Sequence, residues 1–137
     1  MTIAHLLLPL LLQAGPEVDA AQYTPDCAEP QTQRAMNHCA ALEWEEADAA
    51  LNAQWQETAS RMRRMDRATT PDDGRPGYFS QLLRGQRAWL FYRDHHRASA
   101  GYNARGGSLE PLLVSTCKTE LTRARTGQLE DLAEWPQ

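Results

Sequence analysis

The sequence feature that most constrains the fold is a long helical pattern that runs from Thr32 to Met65. Apolar and small residues recur there at every third or fourth position, so they lie along one stripe of a helix about 50 Å long. A helix of this length cannot bury its own stripe, and later segments must supply the helices that cover it. The predicted stripe consists of Met36, Ala40, Trp44, Ala47, Leu51, Trp55, Thr58, Met62 and Met65.

The composition is that of one small globular domain. The chain has 137 residues, of which 42% are hydrophobic and 23% are charged. Its formal net charge of −4 argues against nucleic-acid binding, which requires a basic face. A basic protein partner is compatible with this charge.

The first 20 residues predict an export signal. Leu6 to Leu12 form an apolar segment that is too short to span a bilayer, and Val18 and Ala20 place small residues before a cleavage site. The segment lacks a basic start, and the alternative is a buried apolar arm. We expect residues 1–20 to be removed and residues 21–137 to form a periplasmic or secreted domain with no membrane span.

Two of the three cysteines are placed to form a disulfide. Cys27 lies in a lead that contains prolines, and Cys39 lies about two turns into the first helix, so the lead can fold back onto the helix. An exported compartment permits the bond. A metal site is the alternative, but two cysteines without a nearby third ligand do not complete a tetrahedral site. We expect a Cys27–Cys39 disulfide and no metal or other cofactor.

Two further helices are predicted to cover the first. Proline, glycine and aspartate are concentrated in residues 69–77, which predicts a loop where the chain reverses. Helical patterns then follow over about 78–98 and 109–130, and the first helix covers about 32–66. The expected fold class is therefore all-α, a small disulfide-bonded bundle of three helices. Its expected core contains Trp44, Leu51, Trp55, Leu82, Trp89, Leu113 and Leu121.

Polar residues interrupt the apolar side of the second helix. Gln86 and Arg93 share a stripe with Leu82, which predicts that they are buried and hydrogen-bonded. Asp48 and Asn52, one turn apart on the first helix, are their expected partners if the two helices pack antiparallel. For the third helix, the predicted inward side is formed by Leu113, Cys117, Leu121, Ala124, Gln128 and Leu129.

One set of reactive residues invites a catalytic interpretation. Asp94, His95, His96 and Cys117 include a nucleophile and a base. The adjacent histidines point about 100° apart on a helix, so they cannot form the i, i+4 pair of a metal-binding helix. A position beside a helix end explains them. We therefore expect a protein that is not an enzyme and has no catalytic residue.

Several spaced motifs follow one another along the mature chain. They are Cys27, MNHCAALEWEEADAALNAQW from Met36 to Trp55, QRAWLFYRD from Gln86 to Asp94, GGS from Gly106 to Ser108, and C-x-x-x-L-T-x-x-R-x-x-x-L from Cys117 to Leu129. Together they resemble the LprI-type lysozyme inhibitor domain. The resemblance implies a small secreted or periplasmic helical domain with a proposed role in blocking lysozyme. Arg97 replaces a cysteine usual in that family, so we expect Cys117 to be a free thiol.

The residues that match the family's pattern indicate a packing and hydrogen-bond framework. They do not mark an inhibitory surface. They are Asp48, Asn52, Gln86, Trp89, Arg93, Asp94, Thr122 and Arg125.

Two functional hypotheses follow, both for a binding protein. The first is an exported inhibitor that occludes the lysozyme cleft, and the alternative is a periplasmic interaction or envelope-stress protein with another partner. The oligomeric state stays open. Because lysozyme is expected to be a basic enzyme that works with carboxylates in a groove, an inhibitor needs an acidic projecting surface to approach it and a good shape to hold it. The candidate contacts are Asp72 and Asp73 in the first loop, and Tyr102, Asn103 and Arg105 in the second.

Overall fold

The computed structural model describes residues 23–69 and 72–134. In this part of the chain the α-helices are α1 (Gln33–Ala68), α2 (Tyr78–Gly101) and α3 (Glu110–Glu134). A short 3-10 helix, Tyr102–Ala104, directly continues α2. The predicted all-α fold with a long first helix is confirmed, although α2 and α3 extend a few residues beyond their expected ends. The predicted signal segment lies outside the described residues.

Short connections make successive helices antiparallel, so the two loops lie at opposite ends of the bundle. The second loop lies beside the start of α1, where the Asn37 Nδ2 donates a hydrogen bond of 2.9 Å to the carbonyl of Ser108. α1 packs most extensively against α3, and its contact with α2 is the smallest of the three helix pairs. The seam between α1 and α2 is therefore the most open side of the bundle.

Two local features fix the start of α1. The Thr32 hydroxyl accepts a hydrogen bond of 3.1 Å from the Ala35 amide, which is the expected N-cap. The expected disulfide joins Cys27 to Cys39 with an S–S distance of 1.98 Å. It holds the N-terminal lead against the helix, while Cys117 is a free thiol.

The first turn of α2 is capped by a side chain from α1. The Asp66 carboxylate accepts hydrogen bonds from the amides of Tyr78, at 2.6 Å, and Phe79, at 3.0 Å. These amides have no partner within their own helix. A Cβ atom at position 77 would lie 2.7 Å from Asp66 Oδ1, so Gly77 makes room for this cap.

The apolar core is small and lies toward the end of the bundle that carries the first loop. Leu51, Trp55, Leu82 and Trp89 belong to it as expected. Trp44, Leu113 and Leu121 were expected there too, but they are half-buried and lie outside the main cluster. The cluster consists of Leu51, Ala59, Met62, Leu82 and Leu129, with Trp55, Met65, Phe79, Trp89 and Leu132 packed against it.

The expected inward side of α3 is correct in part, since Leu129 is buried and Leu113, Cys117 and Leu121 are half-buried. Ala124 and Gln128 are exposed, whereas Thr119 and Thr122 are buried together with Leu129. Each of these threonine hydroxyls donates a hydrogen bond to the carbonyl oxygen four residues earlier, at 3.0 Å for Thr119 and 2.7 Å for Thr122. Because the helix itself satisfies the hydroxyls, they can be buried without a partner from another helix.

Thr58 of α1 joins this interface directly. Its side chain is fully buried, and its Oγ1 lies 2.9 Å from the carbonyl oxygen of Leu129 in α3. The same hydroxyl lies 3.0 Å from the carbonyl of Gln54 one turn earlier. This contact fixes the register of α1 against α3.

The substitution Leu51→Asp tests the core. Leu51 is 2% exposed, so we expect an unpaired buried charge to cost more than about 4 kcal/mol of unfolding free energy. Leu42→Asp on the same helix is the control, because Leu42 is 41% exposed, and its cost should stay below about 0.5 kcal/mol. Chemical denaturation followed by circular dichroism measures both. Equal stability of the two variants would remove Leu51 from the core.

Gly101→Ala tests the close approach of α2 to α3. A Cβ atom at this position would overlap Val114 Cγ2, so we expect a loss of about 1–3 kcal/mol. The control is Gly127→Ala, where a Cβ meets nothing within 4 Å and should stabilise α3 by about 0.5–1 kcal/mol. Thermal melting should also show that Val114→Ala reduces the cost of Gly101→Ala. If Gly101→Ala stabilises the protein, the contact does not exist.

Candidate functional site

A polar network lies along the seam between the helices. At its centre is the buried guanidinium of Arg93, whose Nη1 lies 3.5 Å from Asp48 Oδ1 and whose Nη2 lies 3.2 Å from Asp94 Oδ1. The guanidinium carbon is also 5.1 Å from the centre of the Trp89 ring. Asn52 Nδ2 donates a hydrogen bond of 3.0 Å to the second oxygen of Asp48. Arg93 thus connects α1 with α2.

Two more cations border this network. Arg97 Nε donates to Asp94 Oδ1 at 3.3 Å. Burial opposes the ionisation of Asp94, but Arg93 and Arg97 outweigh it and hold the pKa of this carboxyl below its usual value. Lys118 of α3 lies with its Nζ 3.1 Å from the centre of the Trp44 ring, and burial, followed by the two arginines, lowers the pKa of Lys118.

Gln86 has a different partner from the one expected. Its Oε1 accepts a hydrogen bond of 2.9 Å from Arg125 Nε of α3, not from a side chain of α1. Arg125 also donates to Gln128 Oε1 at 3.0 Å, and burial lowers the pKa of Arg125. Thr122, one turn before Arg125, is fully buried. The structure therefore places the polar groups of α2 and α3 in contacts that hold the bundle together.

The residues proposed for the first loop are exposed. Arg75 Nε donates a hydrogen bond of 2.7 Å to Asp73 Oδ2, and this contact lowers the pKa of the Asp73 carboxyl. Its negative charge is therefore balanced by a neighbouring cation. Asp72 is exposed beside it. A cavity of about 600 Å³ opens next to this loop, and Asp66 lines it. The carboxylate of Asp66 is already engaged as the cap of α2.

The residues proposed for the second loop are exposed as well. Tyr102 is 56% exposed, and the guanidinium carbon of Arg105 lies 4.7 Å from the centre of its ring. Asn103 Nδ2 donates a hydrogen bond of 3.0 Å to the Ala100 carbonyl. The 24 residues of α2 separate this loop from the first by about 36 Å. The two sets of candidate contacts therefore do not form one patch.

Between the two loops runs an exposed surface that the sequence reasoning missed. This outer α2 face is defined by Arg84, Arg87, Phe91, Tyr92 and His95, all of which are exposed. Phe91 is 70% exposed and Tyr92 is 50% exposed. The sequence could have indicated this surface, because the spacing of Arg84, Phe91 and His95 places them on the side of the helix opposite the apolar stripe.

The reactive residues are engaged in other contacts. Asp94 binds two arginines, and His95 and His96 stack on the rings of Phe91 and Tyr92 with centroid distances of 4.4 Å and 5.1 Å. The histidines lie within α2 rather than at its end. Cys117 is half-buried, and burial and then Glu120 raise the pKa of its thiol. The structure does not assemble these groups into a nucleophile and base.

Within residues 23–69 and 72–134, no group of three or more His, Cys, Asp and Glu side chains is arranged to hold a metal ion. The helices described in these ranges include none with the length and apolar character needed to cross a membrane.

These features define a small, disulfide-bonded three-helix domain whose buried polar groups serve its packing. Residues 26–129 match the family model described as Lysozyme inhibitor LprI, and the chain belongs to this family. It is similar to an uncharacterized protein of Rhizobium meliloti (strain 1021), with 40% identity over 135 residues that cover 98% of this chain and 97% of that protein. No solved structure matches the chain. The family is one of inhibitors rather than enzymes, and together with the disulfide it indicates an extracytoplasmic protein.

Arg93→Met tests the polar network. Removing the guanidinium leaves Asp48 and Asp94 without their shared cation, so we expect a loss of about 2–4 kcal/mol of unfolding free energy. Arg97→Met is the matched control, because the Arg97 side chain is 33% exposed and its pairing should contribute less than about 1 kcal/mol. Urea denaturation measures both values. Equal losses of unfolding free energy would show that Arg93 contributes no more to stability than the partly exposed Arg97.

Proposed function

We propose that this chain is an exported lysozyme inhibitor that occludes the substrate cleft of the enzyme and performs no chemistry of its own. The observation that carries the proposal is the match of residues 26–129 to the lysozyme inhibitor family. The disulfide Cys27–Cys39 supports export to the periplasm or beyond the cell, since such bonds persist in oxidising compartments.

The pairing of charged groups supports a role in binding rather than catalysis. Arg93 and Arg97 together balance the charges of Asp48 and Asp94. His95 and His96 stack on neighbouring rings. A protein that blocks an enzyme by its shape needs a rigid scaffold with exposed side chains, because fixed surfaces lose little entropy on binding. The helical bundle supplies such a scaffold.

The partner's chemistry follows from its reaction. A lysozyme binds several sugars in a cleft, where two carboxyl groups of the enzyme flank the glycosidic bond that is cleaved. Any rigid surface that fills this cleft therefore excludes the substrate. The loop residues Asp72, Asp73, Tyr102, Asn103 and Arg105 are proposed to contribute contacts at the two ends of the bound inhibitor.

A turbidity assay of bacterial cell-wall lysis tests the function. With c-type, g-type and i-type lysozymes and increasing amounts of the mature protein, we expect saturable inhibition of at least one class at stoichiometric protein. Inhibition should weaken as salt is raised, because charge attracts the partners. Cys117→Ser should inhibit as well as the parent, since this side chain performs no chemistry.

The paired substitution Asp72→Ala and Asp73→Ala examines the first loop in the same assay, with Glu130→Ala and Asp131→Ala on α3 as the control of equal charge. A weaker inhibitor in the first case alone supports a contact by this loop. If no lysozyme class is inhibited at micromolar protein, the proposed function is wrong, and an interaction with another envelope protein takes its place.

A further inference from the structure

We propose that the outer α2 face is the surface that enters the lysozyme cleft, with Phe91 as its apolar anchor and Arg84 and Arg87 as partners of the cleft's carboxylates. This inference rests on the proposed function and names the surface that performs it. The face lies between the two loops, one at each end of α2. The distance from the centre of the face to either loop is about half the length of α2.

The aromatic residues of this face are exposed and held in place. Phe91 is 70% exposed, a large fraction for an apolar side chain, and its ring packs at 4.4 Å against His95 one turn later. Tyr92 packs in the same way at 5.1 Å against His96. Ring packing restricts these side chains before binding, so less conformational entropy is lost when a partner covers them. Preordered aromatic side chains are typical of the residues that dominate binding energy.

The charge of the face is opposite to that of the chain. The formal net charge is −4, yet α2 contains four arginines and a single acid, Asp94. Arg93 and Arg97 bind that acid, so its charge is balanced within the network. Arg84 and Arg87 are exposed on the outer face and no carboxylate of α2 lies between them.

The positive charge of the outer α2 face favours binding to the acidic cleft over binding to the rest of a basic enzyme. A glycosidase of this type needs two carboxyl groups on either side of the scissile bond, and at least one of them is ionised. Two guanidinium groups one turn apart on a helix can approach such a pair, and their planar donors suit carboxylates. The convex helix also fits a groove, as in other complexes in which a helix fills a cleft.

Two variants test the face directly. In Phe91→Ala the anchor is lost, and in the paired substitution Arg84→Glu with Arg87→Glu the charge is reversed. All three residues are exposed, so the melting temperatures of both variants should stay close to the parent's. For each we expect the dissociation constant for the inhibited lysozyme, measured by isothermal titration calorimetry, to rise at least about tenfold.

Each variant has a matched control. Leu42→Ala removes an exposed apolar side chain from α1, and Arg64→Glu with Arg67→Glu reverses two exposed charges on the same helix. We expect the dissociation constants of these controls to change less than about threefold. A competition experiment adds a second readout: a chitin oligosaccharide that occupies the cleft should displace the parent protein from lysozyme.

The outcomes separate the inference from the function on which it rests. If the parent inhibits lysozyme but the α2 variants bind within twofold of it, or if the oligosaccharide does not compete, the outer α2 face is the wrong surface and the inhibitor function stands. If the parent binds no lysozyme, both proposals are wrong. Sedimentation velocity of the parent alone provides the last check, because a dimer that Phe91→Ala dissociates would assign the face to a second copy of the chain.

Discussion

The packing of α1 against α3 depends on buried threonines that satisfy their hydroxyl groups within their own helices. Thr119 and Thr122 each donate to a carbonyl one turn earlier, so α3 can bury these side chains without leaving unpaired hydroxyl groups. The buried residues of α1 include several small ones, among them Ala40, Ala47 and Ala59. Small side chains let helices approach closely, and the few large apolar residues are then concentrated near Leu51 and Leu129.

Because α1 packs mainly against α3, its contact with α2 is smaller, and polar contacts help to hold α2 in place. Arg93 reaches Asp48 of α1, and Gln86 receives a hydrogen bond from Arg125 of α3, so α2 is held to both neighbours by directed polar contacts. Directed contacts of this kind fix orientation more than they add stability. The consequence is that one defined side of α2 points outward, which is the side that carries Phe91 and the free-standing arginines Arg84 and Arg87.

The sequence predicted much of this fold because its signals are local. Thr32 and the glycines and prolines of the loops predicted the helix boundaries. The short sequence separation of Cys27 and Cys39 predicted their disulfide. Thr119 and Thr122 were missed on the inward side of α3 because threonine is neither clearly apolar nor clearly polar, so a stripe chosen by hydrophobicity included Ala124 instead. The partner of Gln86 was missed since the relative rotation of α2 and α3 depends on packing that no local pattern contains.

The candidate binding surface was harder to predict for a related reason. Phe91 and Tyr92 add to the hydrophobic content of α2, and composition does not say whether a ring is buried in a core or exposed to solvent. The stripe of Leu82 and Arg93 places Phe91 on the opposite side of the helix, but the structure was needed to show that Phe91 is 70% exposed. The loop residues Asp72 and Tyr102 were correctly expected on the outside, but their separation by the whole length of α2 required the structure.

The cap that Asp66 provides has a consequence for how the chain folds. The amides of Tyr78 and Phe79 donate their hydrogen bonds to Asp66 in the last turn of α1 rather than to a residue next to them in the chain. Nucleation is the costly step in forming a helix, and in proteins most helical stability comes from tertiary packing. The first turn of α2 therefore gains its partner only when the end of α1 is already formed, so the two helices are expected to appear together as a hairpin, with α1 as the template.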